Sequence, residues 1–372
     1  MTALAPTPTF RKPMVQPWLK SRRGWIGIDI GAVATKLAQV ERTGDGLQLT
    51  AHWIIDNYGG LPLTKDRLQS HGCLPFQSHL QEARSMFRGR RAAATLPLSM
   101  TELRSLELPA GSDDELRNMI HEELLADSTD GAELCFDYLP AQTADSSEGD
   151  MGNFSVFAAE AGVATSAANS LCRAGLDCEV LDSLPCALAR AIQLCEPAES
   201  EKSLAALDFG YSSAVLVVAK GGQLLFTRQL RGCGLQMLLK PLQDGLKLSA
   251  AEVQQLLGRY ANPSAADSSP LASLAKTAHS MIAEPLTQVV AEVKRTLDFL
   301  DLQFRAIVPK KLILLGGGAM VPALPVAIAD ETQLPTRLWS LAAANEESRP
   351  DEALFGVAAA LSSLAWEAAP CM

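Results

Sequence analysis

The sequence has few aromatic residues, few histidines and no paired cysteines. It also has no unbroken apolar stretch that would span a membrane. Phe, Trp and Tyr together make 5% of 372 residues, and there are 5 His. Eight cysteines are present, at Cys73, Cys135, Cys172, Cys178, Cys186, Cys195, Cys233 and Cys371. None forms a C-x-x-C pair, and no His stands at ligand spacing beside them, which argues against zinc. Most lie in apolar contexts, such as Cys186 within Leu184–Leu188. Buried free thiols in a reducing compartment are therefore expected. No Ser-His-Asp or Cys-His order is legible. His121 stands alone on an amphipathic stretch and reads as structural or exposed.

The longest uncharged run, Leu312 to Ala329, is about 18 residues and invites comparison with a membrane span. Gly316–Gly318, Pro322 and Pro325 break it into a strand, a turn and a short helix. Residues 1–23 hold four prolines and scattered basic residues with no continuous apolar core. They read as a leader before the folded part, not as a secretory signal. The net charge of −10 argues against a dedicated nucleic-acid surface. It argues equally against direct electrostatic docking on anionic lipid. A hydrophobic content of 48%, rich in Ala and Leu, suits a helix-rich α/β chain with room for two cores.

Three glycine-bearing turns organise what is there. The first is Gly27-Ile-Asp-Ile-Gly-Ala-Val-Ala-Thr-Lys36, the second Ala206-Leu-Asp-Phe-Gly-Tyr-Ser-Ser213, the third Leu314-Leu-Gly-Gly-Gly-Ala319. An apolar strand precedes each. A Gly at the bend of a hairpin lets backbone N–H groups approach a phosphate with no Cβ in the way. The Asp before it, Asp29 or Asp208, can hold magnesium through water. The triple glycine lets the chain pass close to a purine and its ribose. Two Asp-x-Gly hairpins also imply a duplicated architecture.

Between the hairpins, the pattern predicts strands at Leu47–Ile55, Arg91–Leu96, Leu103–Leu108, Cys135–Leu139, Phe154–Ala159 and Cys178–Asp182. It predicts helices at Leu74–Phe87, from Ser112, at Gly162–Ala174 and at Pro185–Leu194. Ser112 with Glu115 is a capping-box signature. Residues 143–152 read as an exposed acidic loop. Later helices are expected at Leu235–Leu246, Ala250–Leu257, Ser273–Arg305 and Asp351–Trp366. The expected division is a leader at 1–23 and a first lobe at 24–91, 184–199 and 339–372. An inserted α+β unit occupies 92–183 and a second lobe 200–338.

The order of two phosphate hairpins followed by an adenosine turn resembles the actin, chaperone ATPase and sugar-kinase superfamily. Within it, the sequence is similar to the PilM family of type IV pilus assembly. Gly27–Lys36 resembles that family's opening Gly-Ile-Asp-Ile-Gly-x-x-x-x-Lys. Ser105–Glu122, Phe154–Leu194, Leu225–Gly234 and Ala291–Leu300 resemble later motifs, in order. Departures are Cys233 where a Gly is usual, Leu124-Leu-Ala-Asp-Ser128 where Ile-Pro-Phe is expected, and Ser213 with Ala214 where a Thr is common.

The resemblance implies an actin-like (ribonuclease H-like) two-lobed ATPase fold of the α/β class, with a small α+β insertion in the first lobe. It implies ATP and magnesium as cofactors, with hydrolysis slow or absent. Asp29, Gly31, Ala32, Val33 and Lys36 would line the first phosphate loop, and Asp208, Gly210 and Ser212 the second. Gly316, Gly317 and Gly318 would approach the adenosine. Glu292 and Arg295, three apart on one helix face, would flank ribose and base. Asp29 and Asp208 are the candidate catalytic and metal-holding carboxylates. The implied partner is a PilN-like single-span inner-membrane protein, whose cytoplasmic N-terminal peptide the inserted unit helps to grip. Pilus motor or platform proteins and self-association remain open as further partners. The implied location is cytoplasmic, peripheral at the inner membrane through that partner. The competing reading is a small-molecule kinase of the sugar or acetate kinase branch, but 92–183 shows no clear polar substrate pocket. A filament-forming division relative would end in a basic amphipathic helix, and Leu354–Trp366 has no Lys or Arg.

Overall fold

The computed structural model describes residues 22–44, 46–57, 62–71, 74–126, 132–140, 151–249, 252–253, 256–257, 270–341 and 350–367. The expected leader up to residue 21, the acidic loop at 143–150 and most of the helix expected at 250–257 lie outside them.

Two five-stranded sheets share one topology. In the first, β1 (Ile26–Ile30), β2 (Ala34–Thr43) and β3 (Gly46–Asp56) form an antiparallel meander. β4 (Arg91–Thr95) and β8 (Asp177–Asp182) add in parallel beyond β1, giving the order β3-β2-β1-β4-β8. In the second, β9 (Leu204–Phe209), β10 (Ser213–Lys220) and β11 (Gln223–Arg231) repeat the meander. β12 (Leu312–Leu315) and β13 (Thr336–Leu338) repeat the parallel pair, giving β11-β10-β9-β12-β13. The duplication expected from the two Asp-x-Gly hairpins therefore extends to whole sheets. β1 and β9 read as continuous apolar runs because each is covered on both faces.

Helices α5 (Leu184–Cys195) and α9 (Gly356–Ser363) fill the space between the sheets. All eight residues of α9 are buried, and their small size lets it lie directly on β1. Ser362 Oγ donates to the Trp25 carbonyl at 2.6 Å and accepts from the Val40 N–H at 3.0 Å, satisfying strand groups that water cannot reach. The helix expected over Asp351–Trp366 is broken into 3₁₀ turns at Pro350–Leu354 and Leu364–Trp366 around α9. At the break, Gly356 packs on Leu315 and the buried Trp339 ring, where a Cβ would come within 2.3 Å of Leu315 Cδ2.

A three-stranded sheet, β5-β7-β6, comprises β5 (Thr101–Pro109), β6 (Leu134–Pro140) and β7 (Met151–Glu160). Helix α3 (Asp113–Ala126) covers one face, burying Leu116, Ile120 and Leu124 against Leu108, Phe154 and Val156. Its capping box forms as expected: the Ser112 N–H donates to Glu115 Oε2 at 2.8 Å, and the Glu115 N–H returns to Ser112 Oγ at 3.4 Å. The segment 92–183 is split between sheets. β8 pairs with β4, Arg91 opposite Asp177 and Thr95 opposite Asp182. Helix α4 (Ala161–Arg173) buries Val163, Ala167 and Leu171 in the first sheet's core.

The single helix expected at Leu74–Phe87 is shorter, α2 (Gln77–Arg84), and a further helix, α1 (Lys65–His71), precedes it. Helix α6 (Leu235–Leu246) follows β11, and α7 (Pro270–Gln303) and α8 (Ala323–Thr332) flank the second sheet. The thiols are less buried than expected. Cys195 and Cys233 are buried, but Cys135 and Cys172 are exposed, because each sits on an outward position of a strand or helix that has only one covered face.

Candidate functional site

Each hairpin places its Asp at the carboxyl end of a central strand. Asp29 is the fourth residue of β1, and Lys36 stands opposite it on β2. Antiparallel pairing brings the two side chains together, and Lys36 Nζ donates to Asp29 Oδ2 at 2.9 Å. Thr95 Oγ1, from β4, lies 3.5 Å from Asp29 Oδ1. The bend itself is closed by the Gly31 N–H donating to the Ala34 carbonyl at 3.1 Å. A Cβ on Gly31 would lie 2.6 Å from that oxygen.

Asn57 braces this bend from beneath. Its Nδ2 donates to the Gly31 carbonyl at 2.8 Å, and its Oδ1 accepts from Thr35 Oγ1 at 2.7 Å. Its backbone N–H donates to the Val33 carbonyl at 3.0 Å. Asn57 is 2% exposed. Sequence reasoning missed it, because Asn57 follows Asp56 at the end of a mixed strand and reads as an ordinary polar turn.

Asp208 occupies the matching place on β9, and Leu315 of β12 lies beside it in register. The second bend anchors helix α6: the Leu235 and Gln236 N–H groups donate to the Gly210 and Tyr211 carbonyls at 2.9 and 3.0 Å. The third turn follows β12. Gly316 has φ +83°, and a Cβ there would lie 2.3 Å from Asp208 Oδ1. A Cβ on Gly318 would lie 1.5 Å from the Phe209 ring. These two glycines let the third turn press directly on the second hairpin.

The three turns enclose one cavity of about 390 Å³. Asp29, Gly31, Ala32, Val33, Lys36, Asp208, Gly210, Ser212 and Gly317 all line it. Gly316 and Gly318, expected at the nucleoside, do not line it, because they pack on Asp208 and Phe209. Leu235, Leu239, Met320 and Val321 make an apolar end that the sequence reading did not identify. They come from α6 and from the turn after the glycines, elements whose approach depends on the tertiary fold. Glu292 and Arg295 do not line this cavity. They pair with each other on α7, and Arg295 faces a separate groove between α7 and α8 that is also lined by Lys294 and Glu331.

The charges of the cavity are coupled. Burial pushes the Asp208 carboxyl up, Lys36 draws it down and Asp29 adds to the rise, leaving it at about 6. Burial works against the Lys36 ammonium, yet Asp29 and Asp208 outweigh it and hold its pKa above the usual lysine value. One fixed cation thus sits among two carboxylates drawn from different sheets. Among the described residues, no three His, Cys, Asp or Glu side chains cluster as a metal cage. Two carboxylates beside an open volume suit magnesium, which keeps several waters and takes the rest of its shell from phosphate. Glycine bends with free backbone approach suit the phosphates, and the apolar end suits a base. The cavity volume of about 390 Å³ falls in the range of small-molecule sites, about 300–1,000 Å³.

No helix among the described residues is long and apolar enough to cross a membrane. No curated protein matches the chain significantly. Among solved structures, a PilM–PilN type IV pilus biogenesis complex is similar with a TM-score of 0.71 at 22% identity, covering 94% of this chain and 100% of that one. The ethanolamine utilization protein EutJ from Carboxydothermus hydrogenoformans is similar with a TM-score of 0.50 at 12% identity, covering 94% of this chain and 91% of that one. These likenesses show the fold: α/β, actin-like and two-lobed, with a small α+β insertion in the first lobe. The family model for type IV pilus assembly protein PilM matches residues 27–354. The chain belongs to the PilM family of type IV pilus assembly proteins.

Proposed function

We propose that this pilus assembly protein binds ATP with magnesium in the cavity between its two sheets, and that it captures the cytoplasmic N-terminal peptide of a PilN-like single-span membrane protein. The observation that carries the first half is the convergence of Asp29, Lys36 and Asp208, from two separate Asp-x-Gly hairpins, on one cavity. In this reading the N–H groups of the first bend (32–33) and the second bend (210–212) hold the phosphates. Lys36 supplies a fixed positive charge, and Gly317 lets the chain lie against the nucleoside. Asp29 and Asp208 hold magnesium, through water or directly; bound magnesium would neutralise phosphate charge. Asp29 and Asp208 are the candidate carboxylates for positioning water, turnover is slow or absent, and nucleotide serves to set the geometry of the two lobes. A location at the inner membrane follows from the partner, not from a span of this chain.

The peptide half rests on the family and on the likeness to the PilM–PilN complex. We assign capture to residues 101–160, the part of the expected insertion that has its own sheet and core. The face of that sheet opposite α3 carries Leu103 and Leu139, which are 38% and 37% exposed. A peptide lying across that face would draw affinity from apolar side chains buried against Leu103 and Leu139. The test is fluorescence anisotropy with a labelled N-terminal peptide of the PilN-like protein. Wild type should bind, and L103E/L139E should bind at least tenfold more weakly while keeping its ATP affinity. Equal peptide affinity in the two proteins would place the groove elsewhere.

A further inference from the structure

The chain's net charge of −10 conceals a basic end. Six exposed arginines, Arg22, Arg42, Arg88, Arg90, Arg91 and Arg173, gather where the parallel strands of the first sheet begin. Their placement follows from the sheet. β1, β4 and β8 run parallel, so Ile26, Arg91 and Asp177 start at one edge while Asp29, Leu96 and Leu184 reach the cavity at the other. Five residues of strand separate the two edges by about 15 Å. β2 runs the opposite way and delivers Arg42 to the basic edge, where its N–H donates to the Arg22 carbonyl at 2.7 Å. Gln39 ties the Gly24 and Arg88 carbonyls together at 3.0 and 2.7 Å. The Arg91 guanidinium lies 4.6 Å from the Trp25 ring centre, and that of Arg42 lies 4.4 Å from the Trp366 ring centre. Helix α4 ends here too, with the Arg173 carbonyl accepting from Gln81 Nε2 at 3.3 Å.

Acids among the described residues pair with some of these arginines. Asp177 pairs with Arg90 and Glu179 with Arg91, both as exposed pairs, and Glu41 pairs with Arg23. Exposed pairs of this kind contribute little and exchange readily for another anion. Met86 adds an apolar side chain, 55% exposed, two residues from Arg88. The described chain enters through this same end at Arg22.

We propose that this arginine-bearing end of the first lobe docks on an anionic lipid surface. A cluster of exposed guanidinium groups, two of them over Trp rings, suits phosphate headgroups. The proposal is independent of nucleotide, since the cavity opens at the opposite edge. It reverses the expectation from net charge because a surface responds to local charge within a Debye length of about 10 Å, not to the sum over the molecule.

Vesicle flotation of the full chain tests it, using phosphatidylcholine vesicles and vesicles that also contain phosphatidylglycerol. Wild type should float only with the second, and recovery should fall as salt rises. The variant R22Q/R42Q/R88Q should lose about fivefold in partitioning per charge removed, on the order of a hundredfold in all. Its thermal unfolding, compared with wild type, shows that the loss is not misfolding, and the salt dependence of wild type stands whatever the variant does. Equal recovery on both vesicles, recovery that ignores salt, or a folded variant that floats as wild type does would each overturn the proposal. Binding of wild type to polyglutamate but not to anionic vesicles would overturn it as well, by assigning the arginines to an acidic protein segment.

Discussion

Asp208 shows how a single residue at this site works against the stability of the fold that holds it. Its carboxyl is raised to about 6 in the folded protein, above its ordinary value near 3.9. Between these values the folded state binds more protons than the unfolded one. Stability therefore falls as pH climbs from about 4 to about 6, and the deficit persists above. In metal- and nucleotide-free buffer, Asp208→Asn should gain on wild type across that window, by about 1–3 kcal/mol at pH 8 relative to pH 4. Chemical denaturation at the two pH values measures this, and a gap that does not change with pH would contradict it. Asn57 presents the opposite case, a buried polar residue whose removal leaves the Gly31 carbonyl and Thr35 hydroxyl without their partner. Asn57→Ala should cost about 1–3 kcal/mol and should weaken nucleotide binding through the loosened bend. An N57A protein of wild-type stability would show that the brace is dispensable.

At the scale of elements, the meanders and turns were legible in the sequence, and the contacts between distant segments were not. α6 matches its expected bounds, opening directly after Gly234, and the continuous apolar runs of β9 and β12 stop at Asp-x-Gly and at Gly316. The pairing of β8 with β4 joins residues more than eighty apart, and nothing in either strand's own pattern specifies it. Helix α1 is seven residues and largely polar, too short to show a period. Glu292 and Arg295 have the spacing of a site pair, but spacing fixes only a shared helix face; Arg295 lines another groove, and Glu292 lies 3.9 Å from Arg228 of β11. Glycine spacing carried tertiary information, since Gly27 and Gly318 sit where other elements cross. A Cβ at Gly27 would lie 1.8 Å from the Ala358 carbonyl of α9, and one at Gly318 would enter the Phe209 ring. Gly27→Ala and Gly318→Ala should each destabilise by about 2–4 kcal/mol in urea unfolding. Gly162→Ala, with nothing within 4 Å of its new methyl, should change stability by less than about 1 kcal/mol. Equal effects at all three positions would refute the close packing described for α9 and the third turn.

For the whole molecule, the three proposed tasks fall to three regions. The cavity lies between the two sheets and draws its charged groups from both, so a ligand there binds the lobes to each other. The small sheet of residues 101–160 stands apart with its own core, and the basic end lies at the far edge of the first sheet. A ligand that binds only the folded chain adds RT ln(1 + [L]/Kd) to stability, about 2.7 kcal/mol at a hundredfold excess over Kd. Magnesium-ATP should therefore raise the unfolding temperature of the whole chain and not of one lobe alone. Titration calorimetry of magnesium-ATP, with wild type compared against Asp29→Ala and Gly317→Asp, measures nucleotide binding in the cavity itself. Gly317 has room for a side chain, its nearest neighbour being Leu235 Cδ2 at 3.6 Å, so the new carboxylate should fold into the cavity and repel phosphate. The account predicts that wild type binds and that each variant binds roughly ten- to a hundredfold more weakly. Absence of binding by wild type, or unchanged affinity in both variants, would contradict it.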